Sequence, residues 1–413
     1  MNDAGTDVRG LPPPLYGVLC LPGGLSAGFI TVTLGYVLGR HGVDVGSISG
    51  IVGLGLLPST WKFLIGPVLD MSLSSRTWYM ICIVAKAACL AAFALLPLSK
   101  AEVPTLGLLA FAMGVATNAA GSSITAAMAL TTPKELRGAV AGWVQTGNLG
   151  GVGIGGGAGL WIASHFGGAG AAALTLAPIC LLCAAPMLWM RVPLRPQGVP
   201  LPRQALDLGA VFFRLVRSRG GVLAMLAVTL PAALGAATNL LPASASSWRA
   251  SADLVAIVTG VLGGLASVPG CLIGGYLCDR FPRRIVYMWG ALICAAGEAL
   301  MAVTPHTPEL FAGFILGNAL LLGVAWAAVS AVIYECLGAS GAATIGAILS
   351  SLCNLPVVVV TVLVGWVQTR YGSSAMLLTE AGLGVLSVAG YAALAWVWRP
   401  DASGAIVALA PAE

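Results

Sequence analysis

Charge is the scarcest property of this chain. Asp, Glu, Lys and Arg make up 8% of its 413 residues, whereas a soluble domain carries roughly 25%, so there is too little polar surface to cover a water-soluble fold. Histidine is nearly missing as well. His41, His165 and His306 stand far apart in loops and do not supply the nucleophile–base pair or metal cluster that an enzyme site needs. No basic patch suited to nucleic acid occurs, and no cofactor is implied. Alternation of apolar and polar residues over roughly ten-residue segments, the mark of a membrane β-barrel, is absent too. The cysteines lie almost wholly inside apolar runs, where they pack as small hydrophobes. Cys180 and Cys183 form a C-x-x-C without the second pair a zinc site requires, and no disulfides are expected.

What fills the chain instead is apolar. Hydrophobic residues reach 58% and the mean hydropathy is +0.94. A bilayer core takes about 20 apolar residues per helix, and the continuous runs leave room for about a dozen spans, so the fold class is an all-α polytopic membrane protein. The runs place helices near 15–39, 45–68, 77–96, 105–131, 138–163, 169–190, 221–243, 253–277, 285–303, 309–333, 342–367 and 373–397. The first run is longer than the apolar core of a signal peptide, so no cleavable signal is expected.

The pattern repeats at half length. Pro58 to Met80 ends an apolar run in Asp70, a short polar turn and Arg76, and Gly274 to Met288 does the same with Asp279 and Arg284; Tyr79-Met80 is matched by Tyr287-Met288. Asn148-Leu149 before Trp161 is likewise echoed by Asn354-Leu355 before Trp366. A chain that repeats a helix-turn-helix in this way reads as two related halves. The expected organisation is an N-terminal half over 1–190, a basic linker over 191–220, a C-terminal half over 221–398 and a tail over 399–413. Within the linker, Leu206 to Val216 alternates at helical spacing, which suits a helix lying on the membrane surface. Of the 20 basic residues, 14 fall on the side of the termini, linker and Asp-Arg hairpins and four on the other. The positive-inside bias therefore predicts that both termini are cytoplasmic in a multi-pass protein of the inner (plasma) membrane.

Six plus six helices around a basic linker resemble the major facilitator superfamily over essentially the whole chain, and the two Asp-Arg hairpins look like that family's signature loops in degenerate form. The segment Arg40-His41-Gly42-Val43-Asp44, with Leu54 to Pro58 and Trp61 to Asp70, resembles the muropeptide permease and acetyl-coenzyme-A transporter branch and related siderophore permeases. The acid that branch carries in mid helix 4 is replaced here by Thr117-Asn118-Ala119-Ala120-Gly121-Ser122. The proline of the drug/proton antiporter signature in helix 5 is also missing. The resemblance implies a cavity lined by helices 1, 4, 7 and 10, with 2, 5, 8 and 11 at its sides.

On those helices the candidate substrate-binding residues are Asn118, Ser122 and Thr125, which share one helical face, with Trp143, Gln145 and Asn148 on helix 5, Asn318 and Trp326 on helix 10 and Asn354 on helix 11. An amide inside hydrocarbon faces protein or a wet cavity rather than lipid. Interhelical hydrogen bonding is the plainer reading for any single one of them. Asp70, Arg76, Asp279, Arg280 and Arg284 are candidate gating residues at the cytoplasmic helix ends. Glu298, Glu380 and Lys86 are the embedded ionisable groups and the candidates for proton coupling, with a structural ion pair as the alternative. Gly151 to Gly156 spell G-x-G-x-x-G without a preceding strand; Gly147, Gly151, Gly155 and Gly159, four apart, predict close helix packing instead.

The sequence thus predicts a monomeric secondary active transporter that moves a bulky polar small-molecule solute (muropeptide, coenzyme-A thioester or siderophore-like) across the bilayer by alternating access, in the uptake direction and with protons as the candidate coupling ion. The alternatives are a drug or metabolite exporter of the same fold and a non-transporting receptor or membrane enzyme.

Overall fold

The computed structural model describes residues 10–65, 68–69, 73–132, 137–190, 206, 209–210, 212–213, 215–230, 235–335 and 342–397. Asp70, most of the linker, the tail and the side chain of Glu335 lie outside the described residues. Among the described residues the chain forms twelve helical segments in sequence order. They are α1 (Pro13–Arg40), α2 (Val45–Thr60), α3 (Ser75–Leu95), α4 (Val103–Thr131), α5 (137–165), α6 (Gly168–Leu188), α7 (Arg219–Thr229, continued as turns over 235–248), α8 (Ala252–Arg280), α9 (Arg283–Val303), α10 (Pro308–Glu335), α11 (342–371) and α12 (373–397). Among the described residues eight stretches are long and apolar enough to cross a membrane; one of them, Ile345–Val397, holds part of α11 and all of α12.

Local chemistry sets the ends. Pro13 and Pro104 occupy first-turn positions, where a missing N–H costs nothing. Asp44, Ser74, Ser218 and Ser251 cap α2, α3, α7 and α8 by accepting a backbone N–H three residues on. Gly372, at φ +84°, turns the chain from α11 into α12 in a conformation a side chain would strain.

Two expected helices come out differently. Helix 2 was expected to run unbroken to 68, but it passes through 3-10 turns over Leu57–Thr60 and Lys62–Leu64 before residues 65, 68 and 69 are helical again. Helix 7 was expected to run unbroken to 243, yet its regular part stops at Thr229 and the chain from Gly235 to Trp248 is a series of turns. Gly235 and Pro242 are breakers among the described residues, and Gly235 takes φ +91°. The linker is helical at its described positions; Leu215 is buried while Leu206, Phe212, Phe213 and Val216 are exposed.

Packing depends on glycine. A Cβ on Gly151 would lie 2.9 Å from the Gly24 Cα, and Gly147 and Gly155 meet α1 in the same way, so α1 and α5 touch backbone to backbone as the four-residue spacing predicts. Each of these helices, and α8 too, carries a π-helical turn, over Phe29–Leu34, Ile154–Ala158 and Val258–Leu262. Thr33 Oγ1 donates to the Gly155 and Gly156 carbonyls at 2.9 and 3.1 Å, which supplies the carbonyls that such a turn frees.

The two halves share their large core at one end. One large cluster joins Leu25, Leu38 and Ile48 of the first half to Leu240, Trp248, Val255, Val364 and Met376 of the second. A separate cluster around Leu215, Tyr287, Val332 and Leu349 belongs to the second half's other end.

Candidate functional site

The shared core marks a closed end, that of Arg40, Lys100, Arg249 and Arg370. There Ala243, in the turns after α7, lies against Gly39 of α1, Gly46 of α2 donates its N–H to Thr369 Oγ1 of α11 at 2.7 Å, and Gly153 and Gly157 of α5 abut Gly260 of α8. Towards the opposite, basic end the α2–α11 seam continues, with Phe63 packed on the second core. The α5–α8 seam instead parts: a side chain added at Gly150 or Gly264 would meet open space.

In the first half the polar candidates gather around α1. Asn118 Nδ2 donates to the Gly114 carbonyl at 2.9 Å and to Ser59 Oγ at 3.4 Å, and Ser26 Oγ pairs with Thr117 Oγ1 at 3.4 Å. Asn148 faces the bare backbone of Gly23, where an added Cβ would come 3.3 Å from its Oδ1. Gly23, Ser26, Ser59, Thr117 and Asn118 line a cavity of about 130 Å³ between α1, α2 and α4. Ser26 and Ser59 were not singled out in sequence; a serine within an apolar span is a weak signal by itself.

The remaining substrate candidates do not join this cluster. Thr125 Oγ1 donates to its own helix at Gly121 and Asn354 Nδ2 to the Ser350 carbonyl, beside the break at Cys353. Ser122 is half-buried on α4, and Trp143, Gln145 and Trp326 are exposed. Asn318 instead faces α7, donating to Thr238 Oγ1 at 2.6 Å. Both residues line a cavity of about 110 Å³ with Glu298, Met301, Phe314 and Leu377.

Glu298 and Glu380 meet. Their carboxyl groups lie within hydrogen-bonding reach of each other and are 7% and 1% exposed. Glu380 also accepts the N–H of Gly235 at 3.1 Å and of Ala236 at 2.9 Å on Oε1, and that of Ala237 on Oε2. Desolvating a carboxylate costs several kcal/mol; charge-assisted hydrogen bonds, at about 1.5–3 kcal/mol each, offset it. Glu380 lies seven residues into α12, about 10 Å at 1.5 Å per residue, and so on the closed-end side of the middle.

Lys86 takes no part in this. Its Nζ, fully buried, donates to the Pro22 carbonyl of α1 at 2.7 Å, with Cys20, Cys82 and Cys180 around it. The suggestion that Lys86 pairs with Glu298 or Glu380 fails, because the groups sit in different helix clusters of different halves. At the basic end, Arg280 stacks over the Tyr276 ring at 4.2 Å. Arg76 lines a surface recess with Gly10, Leu15 and Trp189, and Arg284 Nε is buried without a partner among the described residues. The one ion pair among the described residues lies at the other end, Lys100 to Asp44 at 3.2 Å.

Known structures share this fold. A variant of the nucleoside transporter NupG superposes with a TM-score of 0.72 at 17% identity, covering 92% of this chain and 98% of that one. A bacterial homologue of the human lysosomal transporter Spinster, in an inward-facing and unoccupied conformation, gives 0.68 at 15% over 94% and 98%. A D-xylose–proton symporter gives 0.63 at 16% over 95% and 99%. At such identities the likeness shows the fold. No curated protein sequence matches significantly. The Major Facilitator Superfamily model matches residues 16–333, and with two six-helix repeats meeting as described, the chain belongs to the major facilitator superfamily, a family of membrane transporters rather than enzymes.

Proposed function

We propose that this transporter carries a bulky polar solute into the cell across the inner membrane by alternating access, with proton entry as the driving force. The carrying observation is the asymmetry of the seams between halves: closed by a shared core at the Lys100–Arg249 end, parted between α5 and α8 towards the basic end. If the basic end is cytoplasmic, the structure is of the inward-facing kind. Neutral amides, hydroxyls and tryptophans supply binding groups without a charge cluster, which suits a polar solute with apolar parts. The cavities of about 130 and 110 Å³ hold several waters or a substituent, so the body of the solute occupies the cleft between the halves. Resemblance over 40–70 to the muropeptide and acetyl-coenzyme-A branch favours muropeptides, coenzyme-A thioesters or siderophores. Proton coupling is supported by the buried Glu298–Glu380 pair and by likeness to a D-xylose–proton symporter. Each charge moved through 100 mV contributes about 2.3 kcal/mol. Asp70, Arg76, Asp279, Arg280 and Arg284 close the cytoplasmic end in the opposite state.

Thermal-shift measurements on the purified protein test the solute class, since a ligand that binds only the folded state raises its melting temperature. One of the three favoured classes should raise it while D-xylose and nucleosides do not; the reverse pattern refutes the assignment. Impermeant maleimide applied to intact cells should label Lys100→Cys and Arg249→Cys but not Arg203→Cys. Labelling at 203 refutes the orientation.

A further inference from the structure

The segment that Glu380 holds is the one that shuts the closed end. The turns over 235–248 begin with the three N–H groups bonded to its carboxylate. Further along, Ala243 rests on Gly39 of α1, Ser247 Oγ meets Ser373 Oγ of α12 at 2.8 Å, and the buried Trp248 stacks on His306 at 4.1 Å. Its own backbone bonds are short-range and discontinuous, single turns followed by a 3-10 helix over Ala245–Trp248, so its position depends on such ties. Glu298, on the other side of Glu380, opens onto the 110 Å³ cavity, which Glu380 does not line.

We infer that Glu298 and Glu380 form a proton-operated latch on α7, in which Glu298 receives protons from the cavity and Glu380 holds or releases the segment 235–248. The inference rests on the proton-driven reading of transport. As a carboxylate, Glu380 grips three N–H groups. A proton arriving from cavity water forms an O–H bond on Glu298 and passes on to Glu380, one O–H bond breaking for each that forms. Both Glu380 oxygens are engaged with α7, so whichever becomes a hydroxyl weakens a bond the segment relies on, and the negative charge is gone. The groups facing the pair are the α7 N–H donors, Cys294 of α9, the nearby Thr238 and Asn318 and the apolar Leu377 of α12. No cationic side chain is among them.

Spin labels on Arg40→Cys and Ser246→Cys, exposed positions on α1 and on the α7 turns, report closure in a cysteine-depleted chain reconstituted in liposomes. The parent should give a short distance at alkaline pH and a longer one in mild acid. Glu380→Gln, whose amide nitrogen cannot accept the N–H it replaces, should give the longer distance at both. Glu298→Gln keeps a donor to Glu380 but cannot pass a proton, and should stay short at both. A Glu380→Gln protein that keeps the parent's short distance overturns the latch. A parent that ignores pH while Glu380→Gln opens refutes the proton-driven reading and the relay but keeps Glu380 as the tie. Should Glu380→Gln fail to fold, Glu298→Gln decides alone: a pH response equal to the parent's overturns the relay.

Discussion

The two halves bury charge against the same element of the repeat and do so with opposite signs. In the first half Lys86 donates to a carbonyl of α1; in the second Glu380 accepts three N–H groups of α7. α1 stays helical through Pro22 and is fixed along its length to α5 by glycine contacts, so the ammonium there secures a helix that is already held. α7 has lost its helix where Glu380 grips it, and beyond the grip it forms part of the closed end. The same device is therefore structural in one half and poised to move in the other, and the difference lies in the backbone it holds rather than in the charge.

Several substitutions press on this contrast. The largest effect is expected from Glu298→Gln in proteoliposomes with an imposed pH gradient: with the closed end held shut, accumulation of solute and exchange of labelled for unlabelled solute should both be lost. Normal accumulation would remove the pair from coupling. Gly260→Leu comes next. Its side chain has no room, a Cβ alone falling 2.8 Å from the Gly157 Cα, so the closed end should be wedged apart. Overpacking of this kind costs about 1–3 kcal/mol, and a lengthened Arg40–Ser246 spin-label distance with a lowered melting temperature is the expected reading. An unchanged distance would mean that α5 and α8 do not govern closure.

Lys86→Met should do much less. The apolar isostere removes a buried ammonium as well as its hydrogen bond, a replacement that is often neutral or stabilising, and the Pro22 carbonyl keeps Ser26 Oγ at 3.0 Å. Transport within a factor of a few of the parent is expected; its loss together with the pH response would make the two halves functionally alike.

Asp44→Ala should have the smallest effect, about 1 kcal/mol from loss of the α2 cap, with little added by an exposed ion pair to Lys100. Burial alone would raise the Asp44 carboxyl, but the Ser47 N–H, the Ser47 hydroxyl and Lys100 outweigh it and hold it below the usual carboxylate range. Its contribution is thus complete above the unfolded value of about 3.9 and is lost as pH falls through the lower folded value. The melting-temperature gap between parent and variant should stay constant from neutral pH down to about 4 and close only below that.

Hydropathy made the twelve helices and most of their ends legible, because a bilayer demands a run of fixed length and Asp44, Ser74, Pro104 and Gly372 punctuate those runs. The glycine spacing in α5 was legible for the same reason, as a four-residue period fixes one face. Helix 7 was misread although Pro231, Gly235 and Pro242 stand in its span, since apolar character outweighed three breakers. Which faces meet was not legible. Glu298 and Glu380 are far apart in sequence on helices that give no sign of facing each other. Lys86 finds a backbone carbonyl, an acceptor that every residue has. Asn118, Asn148 and Thr117 were visible as polar residues in apolar spans, but their gathering around Gly23 depends on the tilt of α1 against α4 and α5.

The central claim, alternation between two closed ends, is tested most directly by measuring two distances in one preparation. One label pair, Arg40→Cys with Ser246→Cys, spans the end closed here; the other, Trp189→Cys with Ile285→Cys, spans the basic end at exposed positions in the two halves. Acidification should lengthen the first distance and shorten the second in the same molecules. Both distances moving in the same direction, or neither moving, would contradict the account.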